Sequence, residues 1–255
     1  MQAYNHEFAI VFNSEFTSFV KKVAPLIEQF YFNIPVSAIN KSVLDLCCGT
    51  GQLACEFLKR GYDVVGIDGS EHMLAYAREN TREFLPSGKI ELILGDILEQ
   101  SLGRHFGLVT CTYDSINHLD NEQELTKCFE LAYRSLVEGG HFIFDINTRL
   151  SLRNWNAISV RETPNAMIVS RGLYDGLGSK AIIKLTGFSR KFNGLYERFE
   201  QVIYNAVFET AMIEELLLKI GWSKVHFARI EDLSIPISEP EKIDKENELF
   251  IIACK

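Results

Sequence analysis

The chain has 255 residues, 47% of them apolar and 24% charged, close to the globular average, so it can bury a large core without help from metal or disulfides. A formal charge of −8 argues against a protein that grips phosphate backbone, so no nucleic-acid partner is expected. No apolar run reaches the length of a membrane span, and the opening MQAYNHEFAIVFNSEF lacks the features of a signal peptide, so a cytoplasmic protein with no membrane partner is expected. The six cysteines show no zinc-like spacing and fall largely in apolar runs, which reads as reduced core thiols.

In chain order, Phe8, Phe12, Phe16, Phe19, Val23 and Ile27 recur at three- and four-residue steps, which predicts a helix over the first thirty residues, bent near Pro25. Residues 1–33 are expected to form a helical lid. After a loop, β-rich runs alternate with helical patterns: Ser42 to Leu46, Asp63 to Asp68, Ile90 to Asp96, Leu108 to Asp114 and His141 to Ile146. Such alternation predicts a parallel sheet covered on both faces. Gly61, Ser70 and the pair Gly139-Gly140 stand where helix stops and caps belong. From about residue 153 to 208 the pattern turns β-rich, with turn signals at Asp175-Gly176 and Asn193-Gly194, which predicts an antiparallel insertion on the substrate side of a single domain spanning 1–255. A helix near Thr210, the run SKVHFARIED, a Pro-marked loop and NELFIIACK predict a closing pair of strands.

The first strand runs into Cys47-Cys48-Gly49-Thr50-Gly51 and then a helix, so two glycines sit where backbone can approach a ligand closely. Gly49-Thr50-Gly51-Gln52-Leu53-Ala54 also satisfies the dinucleotide pattern, which by itself does not choose a cofactor. Asp45, Asp68 and Asp96 lie at or near the carboxyl ends of predicted strands, where open α/β sheets bind ligands. Asp68 can accept from both hydroxyls of a ribose and Asp96 from an adenine amino group, with Ile97 and Met73 as apolar faces, while Asp45 suits the cationic amino group of a methionine tail.

Val43 to Gly51, then Gly66-Ile67-Asp68-Gly69-Ser70-Glu71-His72-Met73-Leu74, then Gly95-Asp96 resemble the successive motifs of class I S-adenosylmethionine-dependent methyltransferases. The resemblance runs from Tyr4 to the final strand and is strongest between residues 42 and 147. It implies a Rossmann-like α/β fold with a seven-stranded, mostly parallel sheet in the order 3-2-1-4-5-7-6. It also implies S-adenosylmethionine as cofactor, held by Asp45, Cys47, Gly49, Gly51, Asp68, Gly69, Met73, Asp96, Ile97, Thr112 and Tyr113. The β-rich insertion and the run Thr112 to Leu119 look most like the branch of sugar-amine N,N-dimethyltransferases. That likeness puts Tyr4 and His118 at positions near the transferring methyl group, and has Phe12 where the branch carries a second tyrosine.

The resemblance implies an enzyme that methylates a small-molecule nucleophile, an amine first among the candidates. His118 is the preferred polar residue for catalysis, since an ordinary imidazole titrates near 6.5 and can accept or orient a proton near neutrality. Two rival readings stand beside it: an NAD(P)-dependent oxidoreductase, which the glycine pattern and Asp68 also satisfy, and a non-catalytic S-adenosylmethionine-binding protein. The oxidoreductase reading accounts for neither Asp45 before the glycines nor a terminal antiparallel strand. The basic and aromatic residues of the insertion, Trp155, Arg161, Arg171, Lys184, Arg190 and Arg198 among them, read mainly as a solvated strand face. Composition and motifs leave the oligomeric state undetermined.

Overall fold

A computed structural model describes residues 4–191, 193–243 and 245–255. The N-terminal helical pattern is divided between two helices, α1 (His6–Glu15) and α2 (Ser18–Phe32). The break falls at Phe16 and Thr17, and Pro25 lies inside α2. The division lets the two pieces bury in different places. Phe8, Ala9 and Val11 pack with residues of the insertion, whereas Val23, Ala24, Ile27 and Tyr31 pack onto the central sheet. Asn5 caps α1, its Oδ1 accepting from the Phe8 amide at 2.8 Å, which satisfies one of the orphan donors of the first turn.

The central sheet begins with β1 (Ser42–Leu46), α3 (Gln52–Lys59), β2 (Asp63–Asp68), α4 (Glu71–Asn80) and β3 (Ile90–Leu94). It continues with β4 (Phe106–Cys111), α5 (Glu122–Ser135) and β5 (Leu136–Asn147). The expected bounds of the third, fourth and fifth strands shift by a few residues. Gly139-Gly140 lies inside β5 rather than closing α5, because the Gly139 amide donates to the Lys255 carbonyl and the Lys255 amide to the Gly140 carbonyl. A tertiary partner there replaces the expected helix stop.

After α6 (Arg149–Asn154) come four antiparallel strands, β6 (Ile158–Glu162), β7 (Ala166–Leu173), β8 (Lys180–Arg190) and β9 (Tyr196–Ala206), which form a second sheet in sequence order. The chain then returns through α7 (Thr210–Ile220) to β10 (Lys224–Arg229), β11 (Asp232–Pro236) and β12 (Glu248–Cys254). The main sheet has the order β11-β10-β12-β5-β4-β1-β2-β3. Its β3-β2-β1-β4-β5-β12-β10 portion is the expected class I order, with β12 antiparallel to β5 and to β10. One strand had not been anticipated: part of the segment read as a Pro-marked loop pairs with β10 as the edge strand β11.

The alternation of side chains fills both faces. Leu44 and Leu46 of β1 point into the core beneath α5 and α7, while Val43 points into the core beneath α2 and α3. This two-sided packing holds the carboxyl ends of β1, β2, β4 and β5 in one row, and the loops that leave them meet the insertion.

Candidate functional site

A cavity of about 250 Å³ opens at this edge, walled by the loops after β1, β2 and β4, by α1, and by Ser170, Ile183, Leu185 and Ile203 of the insertion. The wall is built from backbone that only tertiary contacts can hold. Cys47, Tyr113 and Asp114 all have positive φ (57°, 67° and 49°) without being glycine, a conformation that costs free energy and tends to persist where a site requires it.

The glycine loop follows β1. Gly49 (φ +55°) donates its amide to Asp68 Oδ2 at 2.8 Å, and the Ser70 amide donates to Asp68 Oδ1 at 2.8 Å. Asp68 is 8% exposed, and each carboxylate oxygen keeps a further lone pair for donors in the cavity. Burial raises its pKa and the two amides oppose the rise. Asp45 is more deeply enclosed. It accepts from Thr110 Oγ1 at 2.8 Å, and burial pushes its carboxyl up to about 7 despite that bond. Next to them, Thr50 Oγ1 and Gln52 Oε1 are buried without a hydrogen-bond partner, and both residues line the cavity. Unsatisfied polar atoms beside an accessible glycine turn fit a polar ligand seated on the loop.

Of the residues expected to hold a cofactor, Asp45, Cys47, Gly49, Asp68, Gly69, Met73, Thr112 and Tyr113 line this cavity, and Tyr4 and His118 join them. Gly51, Asp96 and Ile97 do not. Gly51 (φ +70°) serves packing, since a Cβ there would stand 2.9 Å from Ala77 Cβ in α4. Asp96 Oδ1 accepts from the Leu98 amide at 2.9 Å, and Ile97 is buried in the core beneath α5. These two shape the turn after β3 instead of the cavity wall.

Tyr4 is tied across the mouth. Ser70 Oγ donates to its carbonyl at 3.1 Å, and the neighbouring Asn5 Nδ2 donates to the Glu200 carbonyl of β9 at 3.0 Å. Its hydroxyl lies 3.1 Å from His118 Nε2, and His118 Nδ1 lies 3.1 Å from the Tyr204 carbonyl. A carbonyl only accepts, so Nδ1 carries the proton and Nε2 accepts from the phenol. Burial depresses the imidazole to about 4, which keeps it neutral at physiological pH and makes it a weaker base than its residue type alone suggested. Phe12 packs edge-on against Tyr113 at 5.4 Å and stacked on Phe16 at 5.6 Å, so the position without a hydroxyl supplies an aromatic roof.

Several polar residues of the site had no role in the sequence reading. Asp145 of β5 grips the turn after β4, its two oxygens accepting from the Tyr113 amide (2.7 Å) and the Asp114 amide (2.8 Å). Asn117 ties three segments together: its Nδ2 donates to the carbonyls of Asn147 and Ala206, and its Oδ1 accepts from the Asn147 amide. Asp114 itself lines the cavity. The available signal was their position at the carboxyl ends of β4 and β5. Among the described aromatic and basic residues of the insertion, only Trp155 lines the cavity; Lys184 pairs with Glu200, and Arg161 lies over the Phe16 ring.

Residues 43–140 match the model of a methyltransferase domain. A protein of Geobacillus sp. (strain WCH70), whose name assigns it to the methyltransferases without a substrate, is 26% identical over 84% of this chain and 85% of its own length. The dTDP-3-amino-3,6-dideoxy-alpha-D-glucopyranose N,N-dimethyltransferase of Streptomyces fradiae is 37% identical over 35% of this chain and 32% of its own. The crystal structure of an S-adenosylmethionine-dependent methyltransferase from Clostridium acetobutylicum ATCC 824 superposes with a TM-score of 0.79, covering 97% of both chains at 21% identity. Fold and domain match together define a class I methyltransferase. The protein is an S-adenosylmethionine-dependent methyltransferase, and the oxidoreductase reading of the glycine pattern falls away.

Proposed function

We propose that this enzyme methylates a small-molecule amine inside the cavity between the glycine loop and the insertion. When bound, S-adenosylmethionine supplies an electrophilic methyl group on a sulfonium. Asp68 would hold the ribose hydroxyls, Asp45 the cationic amino group of the methionine part, and Gly49, Gly69 and Met73 the faces between them. Cys47, Thr112 and Tyr113 would complete that wall. Tyr4 and His118 would orient the acceptor beside the methyl group, with Tyr4 and α1 as the lid and the insertion as the acceptor's wall. Holding two reactants in line can supply roughly 7–11 kcal/mol of barrier reduction, more than a positioned base usually adds.

One observation carries the amine reading: no Lys or Arg stands among the described residues that line the cavity, whereas Asp45, Asp68 and Asp114 do. With Asp45 and Asp68 engaged by the cofactor, an anionic acceptor would meet the uncompensated Asp114, while a cationic or neutral amine would be drawn in. The partial likeness to a sugar-amine dimethyltransferase supports the same class.

The test pairs calorimetry with a turnover screen. S-adenosylmethionine and S-adenosylhomocysteine are expected to bind and NADH is not. Release of S-adenosylhomocysteine is then followed with primary amines, amino sugars, phenols and carboxylates as acceptors. Turnover of amines alone supports the proposal; turnover confined to phenols or carboxylates defeats it.

A further inference from the structure

We infer that Asp114 is the catalytic residue that receives the acceptor amine and removes its proton. The inference rests on the amine reading above and goes beyond it by moving the base from His118 to a carboxylate.

Asp114 follows β4 at the centre of the cavity edge, with φ 49° and ψ 21°, a left-handed conformation that a non-glycine residue adopts at a cost. Three residues hold it there. Asp145 accepts from its backbone amide, Asn147 Nδ2 donates to its Oδ2 at 2.9 Å, and Asn205 is a second side-chain hydrogen-bond partner of its carboxyl. The neighbouring Asp145 differs in a decisive way: its two oxygens are taken up by the amides of Tyr113 and Asp114, and it does not line the cavity. Strain that aims one carboxylate into a cavity without Lys or Arg on its described wall leaves that charge to be met by an incoming cation.

His118 is poorly placed for the same task. Both ring nitrogens are engaged, Nδ1 with the Tyr204 carbonyl and Nε2 with the Tyr4 hydroxyl. Burial brings Asp114 up to about 7 and takes His118 down to about 4, so the carboxylate is the group matched to neutral pH. The charges around Asp114 are Asp145 from β5, Glu248 from β12, Tyr113 on its own turn and Tyr4 from the N-terminal segment. Lys22 and Arg161 act at one remove, on Glu248 and Tyr113. Asp45, Asp68 and His118 are the other carboxyl and imidazole groups of the wall with a displaced pKa.

In the step assigned to it, an ammonium acceptor gives one proton to a carboxylate oxygen of Asp114. The N–H bond breaks, an O–H bond forms, and nitrogen keeps the electron pair needed to form its new C–N bond. Asp114 becomes the neutral acid and returns the proton to solvent when the product leaves.

The test uses the full chain, with glucosamine and benzylamine as initial probes within the amine screen. For an amine that the wild type turns over, Asp114→Asn is expected to lower kcat by about 10²- to 10⁴-fold with S-adenosylmethionine affinity unchanged in calorimetry. The wild-type kcat/KM for the amine at saturating donor is expected to rise with pH through a midpoint near 7. Carboxyl ¹³C NMR of the wild type should show an aspartate titrating in that range whose signal is absent from Asp114→Asn, which separates it from Asp45, and adding the amine should move its midpoint down. Wild-type activity with an acid limb near 4, or Asp114→Asn turnover within threefold of wild type, would overturn the assignment and leave the amine reading standing. Wild-type silence toward every amine would overturn the amine reading and this assignment with it.

Discussion

Tyr4 and His118, 114 positions apart in the chain, meet at 3.1 Å between the phenol oxygen and Nε2. The contact closes the cavity mouth and leaves the phenol oxygen's lone pairs available to a donor inside it. Tyr4→Phe removes one hydrogen bond with little change of shape, so kcat is expected to fall by about three- to tenfold, the equivalent of a typical net hydrogen bond. Donor affinity should not change. His118→Ala should cost more, because it also releases the Tyr204 carbonyl. Release of S-adenosylhomocysteine at saturating donor measures both, and wild-type turnover in Tyr4→Phe would reduce the pair to scaffold.

Asp68 joins the glycine loop to the turn after β2 through the Gly49 and Ser70 amides. Asp68→Ala is expected to weaken S-adenosylmethionine binding by about 1.5–3 kcal/mol, the range for hydrogen bonds to a charged group. Calorimetric titration reads this directly, and unchanged affinity would remove Asp68 from the cofactor wall.

Gly51 offers a prediction about stability. A Cβ would stand 2.9 Å from Ala77 Cβ in a residue with φ +70°, combining overpacking with left-handed strain. Gly51→Ala is expected to cost about 2–4 kcal/mol, seen as a lower unfolding midpoint in urea. A midpoint equal to wild type would show that α3 and α4 separate freely at this point.

Asp45 links stability to pH. Its folded-state pKa of about 7 stands above the ordinary aspartate value, so the unfolded chain releases this proton at lower pH than the folded protein does. The resulting stabilisation is complete below pH 4 and is lost as pH rises through 7. Asp45→Asn abolishes that titration. The variant is therefore expected to gain on the order of 4 kcal/mol relative to wild type between pH 4 and pH 8, without ligand, while donor affinity falls. Chemical unfolding at the two pH values checks it; an equal difference at both would mean that Asp45 is not buried as a carboxyl.

Much of the scaffold was legible before any coordinates because its signals are local. β1 and β2 begin and end where the apolar runs do, Ser70 caps the helix it precedes, and the Asp-Gly and Asn-Gly turns lie between strands of the insertion. Local rules misled where a distant segment supplied the deciding contact. Gly139-Gly140 looked like a helix stop until Lys255 took its hydrogen bonds. The N-terminal pattern looked like one helix until its two halves found different cores.

The sequence alone determined the order of the first five strands, the glycine turn after β1 and the acidic residue at the end of β2, since each depends on spacing within a few dozen residues. It also carried the motifs that mark a methyltransferase. Only the tertiary structure decided that Asp96 and Ile97 stand outside the cavity, that Tyr4 reaches His118, and that Asp114 rather than the imidazole is poised near neutrality. The reason is physical. Desolvation and hydrogen-bond partners set the pKa of a side chain, and here both come from strands and loops far along the chain.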